Sequence, residues 1–86
     1  MEKLPYDQLR NMLAAAQAKI AVGSKWRHYK GHEYVVSRIV LIEATNELSV
    51  LYSDVMYPDV AFVRPVKDWL VMVSWDGQSV ARFEQV

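Results

Sequence analysis

Residues 20–28 read Ile-Ala-Val-Gly-Ser-Lys-Trp-Arg-His, and the fold turns on what happens at Gly23. Before the glycine, apolar residues recur with a helical period; after it they alternate. Reading backwards, residues 5–21 predict an amphipathic helix. At about 100° per residue, Tyr6, Leu9, Met12, Leu13, Ala16 and Ile20 share one stripe, opposite Asp7, Gln8, Asn11, Ala15 and Ala18. Pro5 suits the first helical position, where its missing N–H costs nothing. Asp7 near the start and Lys19 near the end favour the helix dipole. Gly23 supplies the stop through a left-handed C-terminal cap.

Reading forwards, residues 33–42 (Glu-Tyr-Val-Val-Ser-Arg-Ile-Val-Leu-Ile) are too apolar for a one-sided strand. Tyr34, Val36, Val40 and Ile42 point one way; Val35, Ile39 and Leu41 point the other. Such a strand is covered on both faces, or it bends so that its halves enter different layers. Residues 48–53 alternate more cleanly, and Val60–Val63 and Leu70–Trp75 predict two further short strands. Asp76-Gly77 predicts a two-residue type I′ turn, after which Ser79–Phe83 pairs back. The expected fold is a single α+β domain over residues 1–86, mainly β. Residues 23–84 would form a small antiparallel SH3-like barrel or a strongly bent sheet, with the N-terminal helix packed on it. Left unpacked, the helical stripe would be a sizeable exposed apolar patch.

The 86 residues carry no net charge and no cysteine, and 52% are apolar. That length excludes a two-domain enzyme with a cleft between halves. The absence of Cys removes disulfides, thiolate zinc sites and a cysteine nucleophile together. Apolar runs such as Met12–Ala16 fall far short of the ~20 residues of a membrane span, and Met1–Pro5 does not resemble a secretory signal. A cytoplasmic protein with no membrane partner is the expectation. The charge is unevenly placed: residues 1–30 hold six basic and two acidic side chains, residues 31–86 four basic and eight acidic. Either two complementary surfaces attract one another in the fold, or a positive face awaits an anionic ligand. The neutral total is unlike that of a dedicated nucleic-acid binder.

The densest polar and aromatic stretch is Trp26-Arg27-His28-Tyr29-Lys30-Gly31-His32-Glu33. On a strand, Trp26, His28 and Lys30 share one face and Arg27 and Tyr29 the other. This reads as a ligand-binding edge, with rings for stacking and cations for a negative charge. It reads also, and more simply, as a first strand whose aromatics enter the core while the basic residues stay solvated. His28 and His32 have only Glu33 as a nearby third ligand, so no metal is expected. Glu43 and Glu47 flank a connecting turn too wet to separate their pKa values for acid–base work. Arg64, just beyond Val60–Val63, either pairs with Glu43, Glu47 or Asp68 or faces a ligand. An enzyme built on His28 with Glu33 or Glu47 would lack a nucleophile, a metal set and a pocket. No phosphate loop or dinucleotide fingerprint is present, so no cofactor is expected.

Trp26-Arg27-His28-Tyr29-Lys30-Gly31, Tyr34-x-Val36, Glu43-x-Thr45-x-Glu47, Val50-x-Tyr52, Phe62-Val63-Arg64-Pro65 and Arg82-Phe83 occur in that order. Together they resemble the small bacterial family catalogued as domain of unknown function sixteen-fifty-three, over residues 23–84. The resemblance implies a compact β-rich domain and brings no activity, ligand or catalytic residue. Phe62 stands where that family usually shows Trp, and Glu43 where a His is common. Among the matching positions His28, Tyr29, Lys30, Gly31, Thr45, Glu47, Tyr52, Arg64 and Pro65, the glycine and proline read as structural. Tyr29, Lys30 and Arg64 read as contacts. The expected function is a non-enzymatic binding module. Trp26, His28, Tyr29, Lys30, Glu47, Tyr52 and Arg64 would present an aromatic and basic surface to an anionic small ligand, peptide or RNA segment. The alternative is a homo-oligomeric assembly protein with no ligand of its own.

Overall fold

The amphipathic stripe does form a helix: in the computed structural model, which describes residues 3–86, α1 spans Tyr6–Lys19. Both of its ends differ from expectation. Pro5 is the residue before the helix, not its first, and its carbonyl accepts the Leu9 N–H at 3.0 Å. Ile20 is already extended, so the stop precedes Gly23. Gly23 instead turns the chain towards the sheet at φ +86°, donating its N–H to the Val36 carbonyl at 2.8 Å. That left-handed conformation is one a side chain would strain. The helix docks through its second half, where Ala16 is buried with Leu13 beside it, and Ile20 just after the helix is buried too. Tyr6, at the start of the stripe, stays 76% exposed.

Among the described residues seven strands follow. They are β1 (Lys25–His28), β2 (Glu33–Ile42), β3 (Glu47–Asp54), β4 (Tyr57–Pro65), β5 (Met72–Trp75), β6 (Gln78–Ala81) and β7 (Phe83–Gln85), with a short helix α2 (Val66–Trp69) between β4 and β5. Five make an antiparallel sheet in the order β4-β3-β2-β1-β7; β5 and β6 form a separate hairpin. Asp76 and Gly77 have φ values of 53° and 76°, as the predicted hairpin turn requires. The strand expected at Leu70–Trp75 starts only at Met72, because α2 and its exit occupy the residues before it. The strand expected at Ser79–Phe83 is broken at Arg82. Its N–H bonds the Val71 carbonyl and its own carbonyl takes the Tyr29 N–H, both at 3.0 Å. Phe83 thereby leaves the hairpin and joins β1.

The long strand β2 bends. Val36 pairs with Tyr52 and Arg38 with Leu51, leaving Ser37 as an extra residue in a bulge. The inserted residue reverses the alternation beyond it. Ile39 and Leu41 therefore share the core face with Tyr34 and Val36, where unbroken alternation assigns Val40 and Ile42. On this face Val36, Ile39, Val50, Tyr52, Trp26 and Phe83 form the core with Ala16 of α1, Ile20 just beyond it and Trp69 of α2.

Of the two expected forms, the bent sheet is adopted and the barrel is not: β4 and β7 remain unpaired edges. The reason lies in α2, which begins where β4 ends. Its Trp69 ring lies flat on Phe83 of β7, centroids 3.7 Å apart at 7°. The two edges are thus bridged by side chains, not by a ladder. Among the described residues no helix is long and apolar enough to cross a membrane.

Candidate functional site

β1 ends at His28 because the chain turns there. The Gly31 N–H bonds the His28 carbonyl at 2.7 Å with φ +109° at the glycine, and the Lys30 N–H reaches His28 Nδ1 at 3.2 Å. Tyr29 and Lys30 consequently leave the strand, and Lys30 does not continue the Trp26/His28 face. His28 stands opposite Phe83 in the β1–β7 register, rings 5.1 Å apart and edge to face. From the far side of the sheet Arg64, on β4 opposite Val50, brings its guanidinium 5.9 Å from the centre of the same Phe83 ring. Arg82 precedes that ring in the chain. The Phe83 ring, itself buried, is therefore the shared contact of His28 and Arg64, and this cluster is called the cup.

The charges of this cup are uncompensated. Arg27 pairs with Glu33 at 2.9 Å, Lys67 with Glu47 at 3.0 Å and Arg10 with Asp7 at 3.6 Å. Arg64 and Arg82 make no ion pair among the described residues, and each has a buried Nε with no hydrogen-bond partner. A buried donor without an acceptor costs about 1–3 kcal/mol. His28 feels the result. Burial, then the positive charges of Arg64, Lys30, Arg82 and His32, hold its pKa below the ordinary imidazole value. The ring is neutral near pH 7, and since Nδ1 accepts the Lys30 N–H, its proton sits on Nε2.

Beside the cup, a cleft of about 230 Å³ opens between β1 and the β5–β6 hairpin, with His28, Tyr29 and Trp75 on its walls. Tyr29 lies 4.3 Å from the His28 ring and 5.1 Å from that of Trp75, while Lys30 Nζ sits 5.8 Å from the Tyr29 ring. Of the residues singled out in the sequence, His28, Tyr29, Lys30 and Arg64 are thus drawn to one region. Tyr52 is buried beneath it, edge-on to Phe83 at 5.9 Å. Trp26 is a core residue, donating Nε1–H to Ser24 Oγ at 2.8 Å and packing edge-on to Trp69 at 5.8 Å. Glu47 is held by Lys67 and does not join the group. Arg82 and Phe83 stand as cup residues that sequence reasoning took only as a closing motif.

A second cluster was not legible. His32 Nδ1 lies 2.9 Å from Asp54 Oδ2, and the Met56 N–H donates to Asp54 Oδ1 at 2.7 Å. These two bonds, the histidine's first, hold the carboxyl of Asp54 below the usual carboxylate range. Tyr34 beside it is pushed up, chiefly by burial and then by the Asp54 charge. The pairing spans 22 residues of sequence and depends on the β2–β3 register, which the Ser37 bulge sets. The stability that ionised Asp54 contributes is complete above its unfolded pKa of about 3.9 and is lost as pH falls through the lower native value. Asp54→Asn should therefore lower the melting temperature at pH 7, with the difference from wild type closing below about pH 3.9. A gap that stays constant down to pH 2 would remove the assigned role. Among the described residues no group of three or more His, Asp or Glu side chains is placed to hold a metal ion.

A family model described as a protein of unknown function (DUF1653) matches residues 24–85, a span that contains the whole cup. The chain is also similar to the crystal structure of a protein belonging to DUF1653 from Bordetella bronchiseptica. The two are 24% identical with a TM-score of 0.68, over 79% of this chain and 90% of that one. At that identity the likeness speaks for the fold alone. No curated protein matches.

Proposed function

The chain belongs to the DUF1653 family, whose description assigns no activity, and we propose that it is a binding module for an anionic group. One observation carries the reading: Arg64 holds its guanidinium over Phe83 with a buried, unpartnered Nε and no carboxylate of the described residues to meet it. An arginine kept for architecture normally shows its counter-ion, as Arg27 does with Glu33. Arg82 and Lys30 add to the same field, which, second to burial, lowers the pKa of His28. A guanidinium without a counter-ion suits a carboxylate or phosphate, and the Tyr29/Trp75 cleft suits a planar or apolar group attached to it. The anion would belong to a small ligand, a peptide or an RNA segment.

Titration of the ¹⁵N-labelled chain with sodium phosphate, sodium acetate and uridine monophosphate tests this through the arginine Nε–H resonances. Arg64 and Arg82 should shift, with an affinity that falls as salt screens the attraction. Affinity should rise as pH falls below the ordinary imidazole range, because a bound anion favours charged His28, whose pKa in the free chain is lowered, and His28→Asn should flatten that dependence. If none of the three probes moves either resonance, the reading fails.

A second reading, self-assembly, draws on the opposite face of the sheet, where Val35, Leu51 and Val63 lie away from the helices with Val63 50% exposed. Sedimentation at high concentration separates the two.

A further inference from the structure

The free edge of β4 continues from the cup, since Arg64 lies on it. β4 is an edge strand along its whole length, and its residues from Tyr57 to Val63 are exposed, among them Tyr57 (61%), Val60 (47%) and Phe62 (45%). Edge strands are ordinarily protected by lysine, proline or inward charge. Here Pro58 and Asp59 protect one end and Pro65 the other, while Val60-Ala61-Phe62-Val63 carries no charge. On the cup side of this edge, Tyr57, Val60 and Phe62 line an apolar groove of about 320 Å³ with Tyr34, whose far wall is the His32–Asp54 pair.

We propose that β4 takes an extended peptide as an added strand, with an acidic residue opposite Arg64 and apolar residues two and four places from it. This rests on the anion-binding reading of Arg64 and extends it to a class of partner. Side chains two apart in an added strand fall on one face. Arg64 and Phe62 share the cup face of β4, so an acidic residue beside Arg64 brings the next residue on that face to Phe62 and the following one to the groove. Main-chain hydrogen bonds along the edge supply affinity, and the Arg64 charge and the groove supply selectivity. A second copy of the chain fits this edge poorly. A two-fold antiparallel β4–β4 pair centred on Ala61 or Phe62 would set Arg64 against Pro58 or Val60 of the copy. There the β4 ladder is already interrupted, Ala61 pairing with Ser53 and Tyr57 with Asp54.

The test uses the full chain and a capped peptide of alternating threonine and other residues, with one glutamate followed by valine two and four places on. Its twin has glutamine in place of glutamate, and sodium acetate reports the anion site alone. The expected result is slowed amide hydrogen exchange within Val60–Val63, a shifted Arg64 Nε–H, and binding weaker by about tenfold or more for the glutamine twin. Acetate shifting Arg64 while the peptide leaves β4 exchange unchanged would overturn the strand addition and leave the anion site standing. Failure of every probe to move Arg64 would remove both. Equal binding by the two peptides, or protection of β4 by self-association without any peptide, would also overturn the proposal. An oligouridylate that moves Arg64 without protecting β4, when the peptide does neither, would point to nucleic acid instead.

Discussion

Trp69→Ala is expected to cost about 3–5 kcal/mol of folding free energy, the range for deleting a large buried aromatic. Small folds have about 5–15 kcal/mol in total, so the variant should be near its unfolding midpoint at 37 °C or past it. The size of the effect follows from position. Trp69 is fully buried, lies flat on Phe83 at 3.7 Å, and meets Tyr52 at 4.8 Å and Trp26 at 5.8 Å edge to face. It therefore joins α2 to β1, β3 and β7 at once, and it occupies the place where a closed barrel would pair β4 with β7. Its indole N–H is buried without a partner, so the ring contributes through packing and not through a hydrogen bond. Trp69→Phe should accordingly retain more than half of the lost stability. Urea unfolding followed by circular dichroism measures both, and a loss below about 1 kcal/mol for the alanine variant would contradict this account of the core.

Arg64→Leu is expected to separate stability from binding. Arg64 is half-buried, with a buried unpartnered Nε and no ion pair among the described residues, so an apolar replacement removes an unsatisfied donor while keeping most of the packing on Phe83. Unfolding free energy should be unchanged or higher, by up to about 1–2 kcal/mol. Affinity for the tightest of phosphate, acetate and uridine monophosphate should fall by about 30-fold or more, the cost of losing one partner of a buried charge contact. An arginine maintained for the fold would give the opposite pair of results, lower stability with binding intact. That outcome would make Arg64 architectural and dismiss the cup as a binding site.

What could be read along the chain was whatever neighbours in sequence decide. The stripe Leu9, Leu13, Ala16 and Ile20 depends on spacing within a few turns, and Asp76-Gly77 on two φ angles; both held. The helix ends did not, because the capping roles given to Pro5 and Gly23 depend on where the chain must travel next. One extra residue at Ser37 leaves no mark in an unbroken apolar run, since Val-Val-Ser-Arg-Ile-Val satisfies either phase. The break at Arg82 arises from carbonyl and amide partners at Val71 and Tyr29, far off in sequence.

The candidate site divides along the same line. Tyr29 and Lys30 could be singled out by composition, since rings and cations crowd one short stretch. Their association with Arg64 could not, because β4 and β7 are the two edges of the sheet. The amino-acid order alone determined a docked N-terminal helix, a mainly antiparallel remainder and the tightest hairpin turn, each governed by contacts a few residues in range. Tertiary structure alone decided that the sheet curls without closing, which cations lack a counter-charge and which histidine meets a carboxylate. Those outcomes depend on curvature and register summed over five strands, where a shift of one residue re-aims every side chain beyond it.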